Sequence, residues 1–595
     1  MNLKLKKSLA LILSFLLVAV LPVFGQAANV TEKEPNDTYQ TANAAAFGDV
    51  IRGTCGSSDS ADYYRFVPDA NGYVTVRFSH AFLEDTSARW QVRVYRFTSE
   101  LTEIYETAVP GTDAETVLPK IGLEKGSPYY IAVRSLSHAA DGVAYTIVAS
   151  FTATDCFESE PNDSYKEADA FTLGSTYGGF SAGGYDYYKL TPDKNGYLSI
   201  TFEHEYLEDA SARWDLRLYR FTSELQEIYE THASGTEAVT ALPHIGVEKG
   251  SVYYLRVDAV SSAACDVEYA LSVSLTPTDC WESEPNDSYK EADAFTLGKT
   301  YGGFSAGGYD YYKITPDQNG YLSVSFAHEY LEDASVRWDV RVYRFTSELR
   351  EIYDTHVSGT DALTELPGIG VEKGSAYYIR VDAVSSGACD VEYQLTVSLT
   401  PTEYWESEPN DSYKEADAAA FGKTYGGFSS GGYDYYKLTP TESGSLTIKF
   451  GHPYIEDASA RWGITTFAFT DSLKEVARGY AAGTDEITLL PAVGVEKGVT
   501  YYVRIDAISS EACDVEYTVT FSFTNKAFKL GDLDFDGAIT ASDARLALRA
   551  AVGLEDFDEL LISIGDVNFD GKITAADARK ILRAAVQLEV LGEEE

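Results

Sequence analysis

The sequence predicts a mainly β protein: four tandem antiparallel β-sandwich modules, jelly-roll-like, followed by a small all-α unit built on two acidic loops. Three observations carry that expectation. One block of sequence recurs four times, its segments alternate apolar and polar residues at the period of a strand, and the final stretch abandons that pattern for two loop–helix units. Enrichment in Tyr (44) and Phe (28), with a single Met, favours strands over helices in the same way.

Residues 1–27 stand apart. Lys4, Lys6 and Lys7 precede an apolar run from Leu9 to Val20, Pro22 breaks it, and Gly25, Gln26 and Ala27 offer a small-residue cleavage point. That is the pattern of a secretory signal peptide, and an apolar run of roughly 12 to 15 residues is too short to span a bilayer. The mature chain is therefore expected to be secreted and extracellular, with no transmembrane span. Losing three lysines and no acid takes the formal charge from -45 to -48. Such a chain repels nucleic acid, which is held by neutralising phosphates with Lys and Arg. It also offers carboxylates to a hard cation.

The recurring block sets the modules. Glu34-Pro35-Asn36-Asp37 returns at Glu160, Glu284 and Glu408, and Asp62-Tyr63-Tyr64 returns at Asp186, Asp310 and Asp434. The run from His80 to Trp90 returns at His204, His328 and His452, and each copy ends on an E-K-G-x-x-Y-Y turn and strand. These repeats place the modules at residues 28–153, 154–277, 278–401 and 402–526. Within copy two, Leu198, Ile200 and Phe202 alternate with Ser199, Thr201 and Glu203, the pattern of a half-buried strand. Trp214, Leu216 and Leu218 alternate likewise, which puts the recurring Trp90, Trp214, Trp338 and Trp462 in the core.

The E-x-E-P-N-D opening, the later D-Y-Y and a sandwich of this size resemble the bacterial pre-peptidase C-terminal domain, a family that includes collagen-binding domains of clostridial collagenases. The resemblance implies accessory or binding modules rather than active sites. In its collagenase-type members an ion lies between the opening and a later D-x-x-D-Y turn. Copy one carries both parts, as Glu32, Glu34, Asn36 and Asp37 and then Asp59 and Asp62. The later copies have Gly183, Gly307 and Gly431 in place of Asp59, so weaker calcium binding is expected there.

Residues 529–592 change chemistry. Asp532, Asp534, Asp536 and Asp543 stand at positions 1, 3, 5 and 12 of a calcium loop, and Asp566, Asn568, Asp570 and Asp577 repeat the set. That spacing turns oxygens inward around one ion, with Gly537 and Gly571 allowing the sharp turn. The backbone carbonyls of Ala538 and Lys572 fill position 7, and Ile539 and Ile573 point to the core. A near-identical amphipathic helix follows each loop, while no helix is expected to enter either. Two such EF-hand-like units, 34 residues apart with Asp at position 12, resemble a type I dockerin. The resemblance implies calcium as cofactor and a cohesin module of a scaffoldin as partner. It places Ala541, Ser542, Leu548, Arg549, Ala575, Ala576, Leu582 and Arg583 against the cohesin, in two pseudo-symmetric orientations.

Other motifs point less far. Gly179-Phe-Ser181-Ala-Gly183 matches the serine-hydrolase elbow but leads into a Tyr-rich strand, not a helix, and recurs at Ser305 and Ser429. His80 and its copies read as a polar cluster with Arg89 and its copies, without a second metal ligand beside them. Cys156 and Cys265 occur together in copy two and Cys280 and Cys389 in copy three, which predicts two disulfides, with Cys55 and Cys513 free. No residue set assembles a catalytic site. The sequence thus predicts a secreted non-catalytic protein docking onto a cellulosome-like polysaccharide-degrading complex, its sandwiches acting as spacers or binding glycan or extracellular protein. The alternatives are a glycosidase or peptidase within the repeats, or an adhesin.

Overall fold

A computed structural model describes residues 28–56, 61–181, 184–305, 308–430, 432–525, 529–535, 537–557 and 559–591. The expected signal peptide, Asp59, Asp536, Gly183, Gly307 and Gly431 lie outside the described residues. Copy two represents the repeats. One sheet runs Asp169–Ala170, Tyr185–Leu190, Val252–Ala259, Arg213–Phe221, Leu225–Ser234. The other runs Ser175–Phe180, Glu268–Pro277, Gly196–His204, Val239–Ala241, with Ile245–Val247 also on Gly196–His204. Pairing is antiparallel apart from short parallel contacts such as Asp169–Ala170 against Tyr188–Lys189.

The predicted alternation is what closes the sandwich. Leu198, Ile200 and Phe202 are buried while Ser199, Thr201 and Glu203 remain partly exposed. Trp214 is fully buried between the sheets, as are Trp90, Trp338 and Trp462. His204 stacks on Trp214 at 4.3 Å and shares its Nδ1 with the Glu205 carbonyl, 2.8 Å away. The histidine thus belongs to an aromatic stack, and Arg213, equivalent to Arg89, lies exposed outside it. Among the described residues no helix is long and apolar enough to cross a membrane.

The two expected disulfides do not form: Cys156, Cys265, Cys280 and Cys389 are free thiols, like Cys513. Strand register is the reason. The Cys156 carbonyl accepts from Gly178, whereas Cys265 precedes Asp266, whose N–H reaches Ser181 three residues further along. At ~3.3 Å per residue that is about 10 Å, beyond the roughly 7 Å a disulfide tolerates between Cα atoms. Burial pushes the Cys265, Cys389 and Cys513 thiols above their usual range. Thiol titration of the denatured, unreduced protein is therefore expected to count six reactive groups; a count of two would restore the pairing.

Successive copies meet through one junction, made three times. Phe180 of copy two sits in the core of copy one, its ring 5.8 Å from Tyr105. Phe304 and Phe428 repeat this on Tyr229 and Tyr353, at 5.6 and 5.5 Å. Phe157, Trp281 and Trp405 lie against Tyr73, Tyr197 and Tyr321 of the copy before, at 4.9, 4.6 and 4.1 Å. The indole N–H of Trp281 donates to the His244 carbonyl at 3.1 Å and that of Trp405 to Gly368 at 2.8 Å. Each junction also needs a glycine. A Cβ on Gly122, Gly246 or Gly370 would overlap the carbonyl oxygen of Glu158, Glu282 or Glu406, while one on Gly494 would meet nothing within 4 Å.

The tail holds three helices, α1 (Ala541–Ala551), α2 (Glu559–Gly565) and α3 (Ala575–Ala585). Helix α2 runs into the second acidic loop, contrary to expectation; at seven residues it is too short to show a helical period. Ala544, Ala547, Ala578 and Ile581 form the small core with Leu533, Ile564 and Val567, and Ile539 and Ile573 pack on it as expected. Ala492 of copy four also touches this core.

Candidate metal centres and docking face

Each loop of the tail is closed by its last acid. Asp543 Oδ1 accepts from the N–H groups of Leu533 and Asp534 at 2.7 and 3.1 Å. Its Oδ2 accepts from the Thr540 N–H at 2.8 Å, completing a capping box at the start of α1. Asp577 and Thr574 repeat this at α3. One carboxylate thus ties the loop to its helix, which explains Asp at position 12: the side chain has to reach back to N-cap and loop at once. Gly537 and Gly571 take φ of +89° and +80°, as the turn requires.

The described ligands converge. Oxygens of Asp532, Asp534 and Asp543 lie within 4.8 Å of one another. In the second loop Asp566 accepts from the N–H groups of Asp570 and Gly571 at 3.1 and 2.7 Å, and Asn568 donates to Asp570 at 2.9 Å. Ala538 and Lys572 follow the two turn glycines. Burial, opposed by those N–H groups but reinforced by Asp577, pushes Asp566 up to about 6. A carboxylate whose folded-state pKa is raised subtracts stability as pH climbs from about 4 through about 6. At neutral pH the loop therefore carries an electrostatic cost that a bound cation offsets. The donor set, all hard oxygen, fits calcium.

This loop–helix pair, doubled with its caps, decides the assignment of the tail. Residues 530–584 match the dockerin type I domain. In this dockerin segment α1 and α3 pack together, and Ala541, Ser542, Leu548, Arg549, Ala575, Ala576, Leu582 and Arg583 are all exposed. Leu548 and Leu582 are 47% and 46% exposed. Arg549 pairs with Glu555 at 2.8 Å and Arg583 with Glu589 at 2.9 Å, six residues on in each half.

No curated protein matches the chain. Solved structures align at low similarity. Tandem CBM51 modules of a family 98 glycoside hydrolase from Streptococcus pneumoniae share 10% identity over 38% of this chain and 85% of that one, with a TM-score of 0.15. The tandem CBM22 modules of Xyn10C from Paenibacillus barcinonensis share 11% over 36% and 83%, with a TM-score of 0.14. At these scores the likenesses say nothing of what the repeats bind.

The sandwiches hold a second set of acids. In copy one Glu32 accepts from the Thr54 N–H at 2.7 Å and the Tyr64 hydroxyl at 3.1 Å, and oxygens of Glu32, Glu34 and Asp62 lie within 4.8 Å. Asn36 is buried beside Glu34, Asp37 is half-buried, and Glu34 is exposed. The same trio in copy two, Glu158, Glu160 and Asp186, is fully buried, as is Asn162. The Tyr188 hydroxyl donates to Glu158 at 2.9 Å, and the Tyr269 hydroxyl donates to Asp186 at 2.7 Å with Glu158 3.1 Å away. Burial raises all three carboxyls, Glu158 to about 8, and repulsion from Glu158 adds to the rise at Glu160 and Asp186. The amide of Asn162 donates to Glu158 and Asp169, yet its Oδ1 has no protein partner, and the same holds at Asn286 and Asn410. A buried oxygen without a donor, beside three carboxylates, fits a cation.

Sequence reasoning named the acids of copy one but missed the phenols that hold them and the full burial of copies two to four. The Tyr repeats at Tyr145, Tyr269, Tyr393 and Tyr517 were the available signal. Ser181 is no nucleophile in this setting: it is fully buried and donates to the Gly184 carbonyl at 3.2 Å, as Ser305 and Ser429 do in their copies.

Proposed function

We propose that this is a secreted, non-catalytic component of a cellulosome-like complex, held by its dockerin segment to a cohesin of a scaffoldin. The observation that carries the reading is the doubled calcium loop with its two exposed, matching helix faces. Calcium occupies both loops, through Asp532, Asp534, Asp536, Ala538 and Asp543 and through Asp566, Asn568, Asp570, Lys572 and Asp577. The four sandwiches, similar in their acidic openings to pre-peptidase C-terminal domains, act as spacers and hold further calcium at Glu32, Glu34, Asn36, Asp37, Asp59 and Asp62 and at the buried trios. The residues at loop positions 10 and 11 and on α1 and α3 supply the cohesin contacts.

Because the two faces are alike, either alone suffices for docking. Leu548→Asp or Leu582→Asp alone is expected to lower affinity for a type I cohesin by no more than about tenfold. The double variant is expected to abolish capture, since burying an unpaired carboxylate costs several kcal/mol, on the order of hundredfold or more. Surface plasmon resonance against a cohesin panel measures this. Undiminished binding by the double variant would place the partner elsewhere.

A second reading, that the repeats bind a glycan or extracellular protein, rests on one feature. Phe82, Tyr206, Tyr330 and Tyr454 stand 61, 59, 60 and 56% exposed at the same place in each copy. Pull-down on insoluble polysaccharides and collagen, with the wild type and with all four changed to Ala, tests it.

A further inference from the structure

The junctions and the buried acid clusters occupy the same place. Glu160, Asp163 and Asp186 of copy two line a 380 Å³ cavity whose opposite wall is Glu103, Tyr105 and Glu106 of copy one. Arg96 of copy one donates to the Glu160 carbonyl at 3.1 Å, and Arg220 and Arg344 do the same to Glu284 and Glu408. At the third junction the preceding copy brings its own positive charge to this edge: Arg350 pairs with Asp411 at 2.9 Å. The wall is built only where a copy follows. Copy four has Ser445, Ala468 and Ala477 where the first three carry Tyr73, Arg96 and Tyr105 and their equivalents. By strand register copy one has exposed Thr31 and Thr54 where later copies carry Phe157 and Phe180 or their equivalents, and its Glu32 and Glu34 are half-buried and exposed where Glu158 and Glu160 are buried.

We propose that in copies two to four cation binding and docking of the preceding copy are one coupled event, so that a divalent cation locks each of the three junctions. This rests on the reading above that the acid trios hold a cation. Two physical terms work together. Docking takes Glu160, whose copy-one counterpart Glu34 is exposed, out of water beside Asp186, which like Asp62 is buried within its own copy. Three adjacent buried carboxylates are unfavourable unless a cation joins them, and they pull more strongly on one that does. The cation in turn fixes the E-P-N-D segment, whose Glu158, Glu282 and Glu406 carbonyls rest on the glycines of the copy before. Linkage makes the effect reciprocal: whatever opens a junction weakens its cation site, and removing the cation loosens the junction. Copy one, with no copy docked over its acids among the described residues, binds independently of any junction.

The test uses the full chain with Tyr105, Tyr229 and Tyr353 all changed to Ala, the residue copy four carries naturally at Ala477. Calcium titration by calorimetry is expected to show the affinity of three sites reduced tenfold or more, with the copy-one and dockerin sites unchanged. Hydrogen exchange of the wild type in chelator is expected to speed up in Leu101–Pro110, Leu225–Ser234 and Leu349–Ser358, and to change little in Leu473–Ala482 of copy four. A wild type that binds calcium at the dockerin alone overturns the cation reading and the coupling with it. Repeat sites that bind equally well in the variant overturn the coupling alone, as does unchanged exchange in chelator. A variant unfolded in the repeats would show in loss of near-ultraviolet dichroism, and the exchange measurement on the wild type then decides.

Discussion

Chelating calcium is expected to unfold residues 529–592 while leaving the four sandwiches folded. Among the described residues the dockerin core is seven buried residues, two of them acid-loop neighbours, Leu533 and Val567. A unit of about 60 residues gains at most roughly 3 to 5 kcal/mol from such a core. Two sites filled at about a thousandfold above their Kd contribute roughly 4 kcal/mol each, so the ions supply more stability than the packing does. Without them, buried Asp532 and Asp543 are left with oxygens within 4.8 Å of each other in one loop, and buried Asp566 beside Asp577 in the other. Far-ultraviolet dichroism should lose its small helical part in chelator and regain it with calcium. Asp532→Ala with Asp566→Ala should do the same at any calcium concentration. Helical signal that persists in chelator would mean the loops close on hydrogen bonds alone.

Gly246→Val is expected to break the junction between copies two and three, and Gly494→Val to do nothing. The two glycines stand at equivalent places in copies two and four, and intrinsic strand preference favours Val at both. They differ in what lies in front. A side chain at Gly246 meets the Glu282 backbone and the Trp281 ring, neither of which can move without undoing the junction, whereas Gly494 faces open space. Overpacking against backbone costs about 1 to 3 kcal/mol, and inter-domain contacts within a chain yield more readily than a core does, so the junction opens rather than strains. Small-angle scattering of the Gly246→Val protein should show a larger spread of dimensions, with the Gly494→Val protein matching wild type and melting within about 0.5 kcal/mol of it. Identical scattering from both variants would contradict the junction described.

The sandwiches were legible because strand alternation writes burial directly into sequence, as Leu198, Ile200 and Phe202 show, and because repetition separated pattern from noise. The calcium loops were legible because their ligands are local. The junctions were not, since their residues look ordinary within any one copy: a Gly, two Tyr, a Phe. Their signal lay in the exceptions, Thr31 and Thr54 at one end and Ser445 and Ala477 at the other, which separate the terminal copies from the inner ones. The cysteines misled for a related reason. Co-occurrence in copies two and three tracks duplication, and only the register of Gly178 against Ala270 shows how far apart Cys156 and Cys265 fall. Helix α2 escaped notice because seven residues carry too little periodicity to distinguish a helix from a buried loop.

The docking role is tested most directly by calorimetric titration of the full mature chain with a purified type I cohesin, in calcium and again in chelator. The account predicts one cohesin bound per chain in calcium, through either helix face, and no heat of binding in chelator. Failure to bind any type I cohesin in calcium, or equal affinity in chelator, would contradict it.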